Sequence, residues 1–586
     1  MSEDKAAAAE AWRRALAATA PIAQQPDVTL PVVIERLAER YGDTPALISE
    51  RQSLTYAGLA GRTARYAGWA LAHGIVAGDV VALMMPNGPE YLAIWLGVTR
   101  VGGVVALLNT NLTGAALRHA IDIVAPRHIV ADAALAAAID AVRPHLATPA
   151  QAWICGGERA GFLPVEDSAP PLRAVRDRVP PTLRDRALYI YTSGTTGLPK
   201  AASVSHHRIM QWSHWFAGLM DVRPNDRLYN CLPMYHSIGG VVATCAPLVG
   251  GGSVVIRERF SASRFWDDIA DNGCTLFQYI GELCRYLAAA PPHPRERQHR
   301  LRLACGNGLR GDVWPRFQNR FGVPRIIEFY AATEGAFSLY NCEGKPGAVG
   351  RVPPFLAHRF PVALVQIDRD TGEPLRGTDG FCRRCAVGEP GEAIGKLADG
   401  GARFEGYTDP AASQRKVLHD VFSAGDAWYR TGDLMRKDAA GFFYFVDRLG
   451  DTFRWKGENV STTEVEAAVA ATPGIVEAVV YGVAVPGADG RAGMAAVVAT
   501  DDFDPTRFAA HLAERLPEYA RPLFLRLCRS IAATGTFKPQ KRALADAGFD
   551  PSATGDPLYI FDKDAGTFVP LDSARHARLQ QGAMRL

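Results

Sequence analysis

The sequence predicts an α/β protein with a large N-terminal domain, in which helices flank parallel-type sheets, and a smaller, mobile α+β domain at the C-terminus. Three observations support this prediction. The chain has 586 residues, which exceeds the length at which a single hydrophobic core stops growing. Short apolar strands alternate with helical segments along most of that length. After about residue 450 the alternation gives way to one helix and two longer apolar runs.

Residues 1–30 form a mixed preamble to the large domain. Its Ala-rich part carries Trp12 and Leu16 four positions apart, with Arg13 and Arg14 beside them. Residues four apart share one face of a helix, so we expect a surface helix that packs on the body of the protein. A helix that lies in the plane of a membrane surface is the alternative.

The large domain spans residues 31–449, and its first part shows the alternation of helices and strands. Thr55 is typical of a helix N-cap and Gly74 of a helix end. The stretch Tyr91–Leu108 is apolar, but Arg100 and two glycines interrupt it before the length of about 20 residues that a membrane-spanning helix needs. We therefore predict a buried helix and then a strand there. The other predicted elements are helices at Val32–Arg40 and Thr55–Gly74 and strands at Ala46–Ile48, Val80–Met85, Val104–Leu108 and His128–Val130.

The small domain spans residues 450–586. Its pattern predicts a helix at Glu464–Ala471 and strands at Val476–Val485 and Met494–Val498. The junction sequence Asp-Arg-Leu-Gly-Asp places Gly450 between the two domains. Because glycine accepts backbone angles that other residues avoid, we predict a hinge at this position and a lid function for the small domain.

Composition, charge and the N-terminal sequence argue against a nucleic-acid-binding protein, a disulfide scaffold and a secreted protein. Hydrophobic residues make up 48% of the chain and charged residues 21%, and the net charge is only +3, so nothing favours a nucleic-acid partner. The ten cysteines are scattered, which indicates a reducing compartment rather than a disulfide scaffold. The N-terminal sequence Met-Ser-Glu-Asp-Lys lacks the layout of a signal peptide. We expect a cytoplasmic protein.

A loop rich in hydroxyl groups and glycine follows the apolar strand Leu188–Tyr191. Glycines let backbone N–H groups approach phosphate oxygens, hydroxyls add donors and a lysine adds positive charge. The spacing of a Walker A loop is absent, and the simpler alternative is a surface turn. The proposed phosphate-binding residues are Thr192, Ser193, Gly194, Thr195, Thr196, Gly197 and Lys200.

Four more segments follow in a fixed order: Leu232–Ser237, with the sequence Leu-Pro-Met-Tyr-His-Ser, then Phe329–Gly335, Tyr429–Asp433 and Thr534–Lys538. Together with the hydroxyl-rich loop they resemble the core motifs of the adenylate-forming superfamily. This superfamily includes acyl-CoA synthetases, luciferases and the adenylation domains of peptide synthetases. The resemblance extends over residues 188–541, and it implies that the chain joins a carboxylic acid to AMP.

The resemblance also implies which residues bind the nucleotide. Tyr330 offers a flat face on which adenine can stack, and Thr333 offers a hydroxyl to the α-phosphate. Glu334 offers a carboxylate oxygen to Mg²⁺, which usually takes few protein ligands. Backbone of the turn at Gly306, Asn307 and Gly308 would face the adenine edge. Read without the family, a tyrosine and a glutamate in a loop would more simply form a turn with a solvated charge.

Two further nucleotide contacts are expected near the domain junction. Asp433 would accept hydrogen bonds from the ribose hydroxyls, with capping of a turn as its alternative role. Arg448 would meet ribose or phosphate, and an interface salt bridge is the competing interpretation.

Lys538 is the proposed catalytic lysine, although Phe537 replaces the glycine that usually precedes it in the family. Its charge would bridge the substrate carboxylate and the α-phosphate and so hold two repelling anions together. Lys541 lies close enough to compete for this assignment. His236 would lie beside the substrate carboxylate and gate a tunnel for the acyl chain, with a structural hydrogen bond as the alternative. Small residues after it, Gly239 and Gly240 among them, would leave room for that chain.

Several segments resemble one branch of the superfamily, the fatty acid transport proteins and very-long-chain acyl-CoA synthetases. They are Asn109–Leu112, Cys382–Cys385 with Gly388–Gly391, Asp451–Glu464, Thr534–Lys538 and Tyr559–Leu571. This resemblance implies a long-chain fatty acid that is ligated to coenzyme A through acyl-AMP, with release of AMP and pyrophosphate. Cys382 and Cys385 alone could indicate a zinc or redox pair, but no second pair accompanies them.

The implied partners are a fatty acid, ATP, Mg²⁺ and coenzyme A. Peripheral contact with the inner face of a membrane and assembly into a homodimer are left open. Three alternative functions also remain: a CoA ligase for another carboxylate such as a bile acid, steroid side chain or carnitine, a fatty-acyl-AMP ligase, and a fatty acid uptake protein.

Overall fold

The computed structural model describes residues 3–165, 181–193, 198–333, 335, 337–368, 371–397, 404–455, 458–486, 488, 490–534, 539–581 and 584. The chain divides into two compact units. The first unit comprises Met1–Phe360 and Lys396–Leu418, and the second comprises Pro361–Gly395 and His419–Leu586. The predicted boundary at residues 449 and 450 does not coincide with this division.

The helices carry the labels α1 to α16 in chain order. In the first unit they are α1 Glu3–Thr19, α2 Leu30–Tyr41, α3 Tyr56–Ala72, α4 Pro89–Arg100, α5 Gly114–Asp122, α6 Ala136–Val142, α7 His206–Met220, α8 Ala243–Val249, α9 Phe265–Asp271, α10 Gly281–Ala289, α11 Val313–Phe321 and α12 Pro410–Gln414. In the second unit they are α13 Thr462–Ala470, α14 Pro505–Arg515, α15 Lys541–Ala547 and α16 Ser573–Gln580.

The strands carry the labels β1 to β27. The first unit contains β1 Pro45–Ile48, β2 Ser53–Thr55, β3 Val80–Met84, β4 Val104–Leu107, β5 His128–Asp132, β6 Gln151–Cys155, β7 Leu163–Pro164, β8 Arg186–Ser193, β9 Pro199–Ser205, β10 Arg227–Asn230, β11 Ser253–Ile256, β12 Leu276–Ile280, β13 Leu303–Asn307, β14 Ile326–Ala331 and β15 Ser338–Asn341. The second contains β16 Val362–Val365, β17 Gly391–Lys396, β18 Val417–His419, β19 Ala427–Lys437, β20 Phe443–Arg448, β21 Phe453–Trp455, β22 Glu458–Val460, β23 Ile475–Ala484, β24 Arg491–Ala499, β25 Phe524–Leu527, β26 Leu558–Asp562 and β27 Thr567–Pro570, with β17 and β18 each crossing the division by one or two residues.

Two mostly parallel sheets form the first unit, as the sequence predicts. The larger has the order β15-β14-β13-β12-β10-β11-β1-β2, and only its outermost strands, β15 and β2, are antiparallel to their neighbours. The other has the order β7-β6-β5-β3-β4-β8-β9, in which β9 alone runs antiparallel. Helices are expected beside parallel sheets, because a crossover must connect each pair of parallel strands.

The elements predicted in the first unit are confirmed. The Thr55 hydroxyl accepts a hydrogen bond from the Gly58 amide and so caps α3. Every residue of α4 except Glu90 is buried, and the turn at Gly102, with a φ of +90°, leads into β4. In the described part of the chain, no helix is long and apolar enough to cross a membrane.

The preamble belongs to the core of the first unit. Trp12 is 3% exposed and makes edge-on ring contacts with Trp215, Tyr340 and Phe360 at 5.5–5.6 Å. The backbone of α1 at Ala15 approaches α7 so closely that a side chain at Gly218 would overlap it. The apolar face of α1 therefore packs on the body, as expected, and is not available to a membrane.

The second unit consists of sheets with helices on them. A five-stranded sheet has the order β23-β24-β25-β26-β27, with α13 and α14 packed against its elements. A further sheet, β16-β17-β19-β18 with β20 on β19, belongs to this unit. Its strand β20 contains Asp447, whose buried carboxylate accepts hydrogen bonds from the Thr462 amide and hydroxyl at the start of α13. Such contacts explain why residues before 449 group with the C-terminal residues.

Candidate active site

Three motif segments and the start of α10 lie at one edge of the eight-stranded sheet. The parallel neighbours β10, β12, β13 and β14 end at Asn230, Ile280, Asn307 and Ala331. The segments that follow these ends contain the Leu-Pro-Met-Tyr-His-Ser motif, the start of α10, the Gly-Asn-Gly turn and the Thr-Glu-Gly motif. In open α/β sheets, ligands bind outside the carboxyl ends of the strands. This edge is therefore the candidate active site.

The turn after β13 is shaped by close backbone approaches. A side chain at Gly306 would overlap Tyr279, and one at Gly281 would overlap the carbonyl of Gly308, which itself has a φ of +81°. Asn307 Oδ1 is buried and has no hydrogen-bond partner among the described residues. The turn thus presents glycine backbone and an unused acceptor, which fits the predicted contact with the adenine edge.

A buried carboxyl group supports this turn from β14. Glu328 is 2% exposed, and its Oε1 accepts hydrogen bonds from the backbone N–H groups of Gly308 and Leu309, the latter at 3.1 Å. Its Oε2 lies 2.5 Å from the Tyr279 hydroxyl. Burial raises the pKa of Glu328 to about 8, against the opposing effect of these hydrogen bonds.

Thr333 and the segment after His236 come together across the sheet edge. The hydroxyl oxygens of Thr333 and Ser237 lie 3.2 Å apart. Tyr330, at the end of β14, contacts the Phe337 ring edge-on at 5.5 Å. Two motifs that are about one hundred residues apart in the sequence thus supply neighbouring hydroxyl groups at one place.

Arg208 on α7 fixes the backbone of the Thr-Glu-Gly motif. Its guanidinium donates hydrogen bonds to the carbonyl oxygens of Thr333, at 2.7 Å, and Gly335, at 3.3 Å. Glu405 lies 3.5 Å from the same guanidinium and accepts hydrogen bonds of 2.6 Å from the amide and hydroxyl of Ser205. A buried arginine with a nearby carboxylate thus connects α7 to the predicted phosphate contact.

Two asparagines hold the segment that contains His236. The Asn87 side chain donates to the carbonyls of Leu232 and Arg257 and accepts a hydrogen bond from the Met234 amide, at 2.8–3.0 Å. Asn230 donates to the Gly239 carbonyl at 2.9 Å. His236 is partly buried, and its ring lies 4.6 Å from that of Tyr235.

The glycines after His236 serve close packing, and the expected room for an acyl chain beside them stays a prediction. Ser237–Val242 form a π-helix, in which Gly239 and Gly240 are buried. A side chain at Gly239 would overlap the Pro233 carbonyl, and one at Gly240 would overlap the Met234 carbonyl. The space beside each glycine is therefore filled by backbone, and the small residues permit close packing.

The hydroxyl-rich loop connects the antiparallel strands β8 and β9. Thr192 pairs with Lys200 in the register, and the Lys200 ammonium lies 5.8 Å from the Tyr407 ring centre. Gly194, Thr195, Thr196 and Gly197 lie outside the described residues, as does the side chain of Ser193. Their predicted phosphate contacts therefore stay predictions.

Asp433 and Arg448 are partners within the second unit. They face each other in the register of β19 and β20, and Arg448 Nε lies 3.3 Å from Asp433 Oδ1. Asp433 is buried, whereas the Arg448 side chain is 46% exposed. Their predicted ribose and phosphate contacts are not tested by this pairing.

Lys541 is engaged in structural contacts. Its ammonium donates a 2.9 Å hydrogen bond to the Thr462 hydroxyl and lies 3.4 Å from Glu466, both on α13. Lys538 and the predicted metal ligand Glu334 lie outside the described residues. Within the described residues no group of three or more His, Cys, Asp or Glu side chains could hold a metal ion, and Cys382 and Cys385 are free thiols.

Sequence reasoning missed the supporting residues Asn87, Arg208, Glu328 and Glu405. Glu328 alone was detectable, because a carboxylate in the apolar run Ile-Ile-Glu-Phe must be paired or neutral once the strand is buried. The others contact residues that are far away in the sequence.

Comparisons with known proteins agree with the motifs. The family model described as AMP-binding enzyme matches residues 34–394, and the one described as AMP-binding enzyme C-terminal domain matches residues 464–538. Long-chain fatty acid transport protein 1 of Mus musculus is 42% identical over 571 residues, covering 95% of this chain and 88% of that protein.

Two further similarities extend this result. The medium/long-chain-fatty-acid–CoA ligase FadD6 of Mycobacterium tuberculosis is 40% identical, covering 92% of this chain and 89% of that protein. The structure of the anthranilate CoA ligase AuaEII in complex with anthranoyl-AMP shares the fold, with a TM-score of 0.74 at 20% identity over 89% of this chain and 97% of that chain. The resemblance to the fatty acid transport protein branch is thereby confirmed. The chain belongs to the AMP-binding enzyme family of the adenylate-forming superfamily.

Proposed function

We propose that the protein is an ATP-dependent, AMP-forming ligase that joins a long-chain fatty acid to coenzyme A through an acyl-AMP intermediate. The observation that carries the proposal is the meeting of the Ser237 and Thr333 hydroxyls, 3.2 Å apart, at the carboxyl edge of the larger sheet. Relatives named for long-chain fatty acids match 95% and 92% of the chain, which supports the acyl donor.

In the first half-reaction a carboxylate oxygen of the fatty acid attacks the α-phosphorus of ATP, and the bond to pyrophosphate breaks. Adenine would lie against the turn 305–309 and the ring of Tyr330, and the Thr333 hydroxyl would donate to the α-phosphate. Lys538 would neutralise the two anions as they approach. Positioning and charge neutralisation dominate such a step, because the protein contributes little covalent chemistry.

In the second half-reaction the thiolate of coenzyme A attacks the carbonyl carbon of acyl-AMP, and AMP leaves. We propose that residues 450–586 turn about Gly450 against residues 31–449 between the two steps. This rotation would withdraw Lys538 and present the segment 456–458 to coenzyme A. Arg448 and Asp433, next to this hinge, would hold the ribose.

His236 is the proposed neighbour of the substrate carboxylate. Its segment is held by Asn87 and Asn230, and the following Ser237 reaches Thr333. A carboxylate bound beside His236 would thus lie near the hydroxyls that receive the α-phosphate. This placement favours attack on the α-phosphorus over the other phosphates.

Magnesium would accompany ATP, with Glu334 as its protein ligand. Mg²⁺ is usually bound through one or two carboxylates together with substrate phosphates and water. A single glutamate beside Thr333 fits that requirement without a dedicated cluster of ligands. The ion would neutralise phosphate charge.

We further propose a cytoplasmic protein that contacts membranes only at their inner face, where long-chain fatty acids partition. Flotation with liposomes, with and without ATP, tests this contact and separates ligation from uptake by simple binding. Light scattering at two protein concentrations tests the homodimer.

The deciding experiment is conversion of free acids from acetate to very long chains in the presence of ATP and coenzyme A, followed by mass spectrometry. Lys538→Ala should lose adenylate formation without a change in thermal stability. Lys541→Ala is the matched control, since its contacts with Thr462 and Glu466 predict lower stability but retained chemistry.

Long-chain acyl-CoA from the parent, lost in Lys538→Ala, supports the proposal. Acyl-AMP without acyl-CoA would indicate a fatty-acyl-AMP ligase, and activity confined to bile acids, steroid side chains or carnitine would change the substrate. An absence of adenylate from every acid would refute the function and leave the fold unaffected.

A further inference from the structure

The hydrogen bonds of Glu328, Tyr279 and the Ile327 carbonyl can all be formed at once only when the Glu328 carboxyl group is protonated. The Tyr279 hydroxyl lies 2.5 Å from Glu328 Oε2 and 3.2 Å from the Ile327 carbonyl oxygen. A hydroxyl has one proton to donate. If Glu328 is ionised, Tyr279 can serve only one of these two acceptors. If Glu328 carries a proton on Oε2, it donates to Tyr279, and Tyr279 donates to Ile327.

No cation offsets a negative charge on Glu328 among the described residues. The titratable groups that interact with it are Tyr279 on β12, Cys284 on α10 and Cys305 on β13. Burial raises the pKa of each of these groups, so all three are neutral at neutral pH. An isolated buried carboxylate is costly, which favours the neutral acid.

The other oxygen of the carboxyl group holds the turn that would receive adenine. Glu328 Oε1 accepts hydrogen bonds from Gly308 and Leu309, and Gly306 is its register partner on β13. Glu328 also lies two residues before Tyr330 on the same strand. Ionisation would strengthen these two hydrogen bonds, but it would also place a buried negative charge beside the proposed pocket of an anionic nucleotide.

We propose that Glu328 is a positioning residue that holds the turn 305–309 for adenine as a neutral carboxylic acid, and that its buried charge weakens the binding of anionic ATP when it ionises. The inference rests on the proposed function, because it requires ATP at this sheet edge.

The test compares ATP affinity of the full chain, measured by calorimetry between pH 7 and 9, with that of Glu328→Gln. The glutamine oxygen can accept from the turn and its amide can donate to Tyr279, so the variant imitates the neutral acid at every pH. A pKa of about 8 leaves roughly one tenth of the parent competent at pH 9, which predicts about tenfold weaker binding than at pH 7. Glu328→Gln should lack this loss.

Tyr279→Phe provides a second variant if Glu328→Gln does not fold. It removes a hydrogen bond that favours the carboxylate form of Glu328, so the pKa of Glu328 should rise further and the loss of affinity between pH 7 and 9 should become smaller. Equal pH dependence in the parent and Glu328→Gln, or an unchanged profile in Tyr279→Phe, would overturn the inference. A parent that binds ATP at pH 7 keeps the proposed function in either case, whereas a parent that binds no ATP at any pH refutes both.

Discussion

At the scale of single residues, the motif side chains depend on partners that lie outside the motifs. Arg208 is the strongest example, because its guanidinium donates hydrogen bonds to two backbone carbonyls of the Thr-Glu-Gly motif, those of Thr333 and Gly335. Thr333 can present its hydroxyl to a phosphate only if this backbone stays in place. Arg208 is therefore expected to support ATP binding through the position of Thr333, without contacting ATP itself.

Replacement of Arg208 by Gln should lower kcat/KM for ATP by about 10- to 100-fold, since a hydrogen bond from a charged group contributes about 1.5–3 kcal/mol. Initial rates of pyrophosphate release measure the effect. Arg159→Gln is the control, because its ion pair with Asp140 is exposed on both sides and should matter little. Equal rates in the two variants would contradict the positioning role.

The difference between Thr333 and Arg208 also explains what a single sequence can predict about the site. Hydroxyl groups, glycines and a lysine at short spacings imply phosphate chemistry by their own properties. Arg208 contacts a backbone carbonyl 125 positions away, and nothing in its local sequence distinguishes it from a solvated arginine. A single sequence can therefore suggest candidate phosphate-binding groups, but it does not identify Arg208 as the residue that fixes their backbone.

At the scale of elements, the π-helix Ser237–Val242 combines close packing with a place in the site. We expect Gly240→Ala to be destabilising, because the new methyl group meets the Met234 carbonyl, and the Met234 amide is itself bound by Asn87. Overpacking of this kind costs about 1–3 kcal/mol. The midpoint of thermal unfolding and the rate of adenylate formation should both fall.

Gly61→Ala supplies the matched control in α3. No atom lies within 4 Å of the added methyl group, and alanine in a helix is more favourable than glycine by about 0.5–1 kcal/mol. This variant should be slightly more stable than the parent. Loss of activity without loss of stability in Gly240→Ala would instead indicate that the glycines line the acyl site after all.

Helix α1 shows how packing decides between two interpretations of one pattern. The spacing of Trp12 and Leu16 predicted an apolar helical face but not the surface that covers it. Trp12→Ala should destabilise the protein by about 3–5 kcal/mol, because three aromatic rings surround this side chain. The midpoint of thermal unfolding measures this loss of stability, and Arg13→Ala, at an exposed side chain, is the control. Similar midpoints for both variants would contradict core packing.

At the scale of the whole molecule, Glu328 makes stability depend on pH. Its pKa rises from 4.5 to about 8 on folding, so the unfolded chain releases this proton at lower pH than the folded chain. The stabilising contribution is complete below pH 4.5 and is lost as the pH rises through 8. The stability of the parent relative to Glu328→Gln, measured by urea unfolding, should fall across this range, and a constant difference would contradict the raised pKa.

The two compact units of the chain meet at other positions than the predicted boundary at residues 449 and 450. Alternating patterns predicted parallel sheets and the later α+β elements, since period and length are local properties. The grouping of residues 361–395 with the C-terminal residues depends on the pairing of β17 with β19, and the contact between Asp447 and Thr462 then joins this sheet to α13; no periodicity reveals either. Units that are compact through their internal contacts need not be the parts that move relative to each other. Gly450 is the predicted hinge for that movement.

Gly450 has a φ of +95° with no atom near an added side chain, and Gly425 has a φ of +80° in an equally open place. Alanine should therefore strain both positions by a similar amount, about 1–2 kcal/mol, but only Gly450 lies between the proposed moving parts.

Gly450→Ala, and more strongly Gly450→Pro, should slow thioester formation relative to adenylate formation in single-turnover measurements. Gly425→Ala should lose comparable stability and leave the ratio of the two steps unchanged. Full thioester formation by Gly450→Pro would place the hinge elsewhere or remove the need for one, because proline cannot adopt the observed backbone angle.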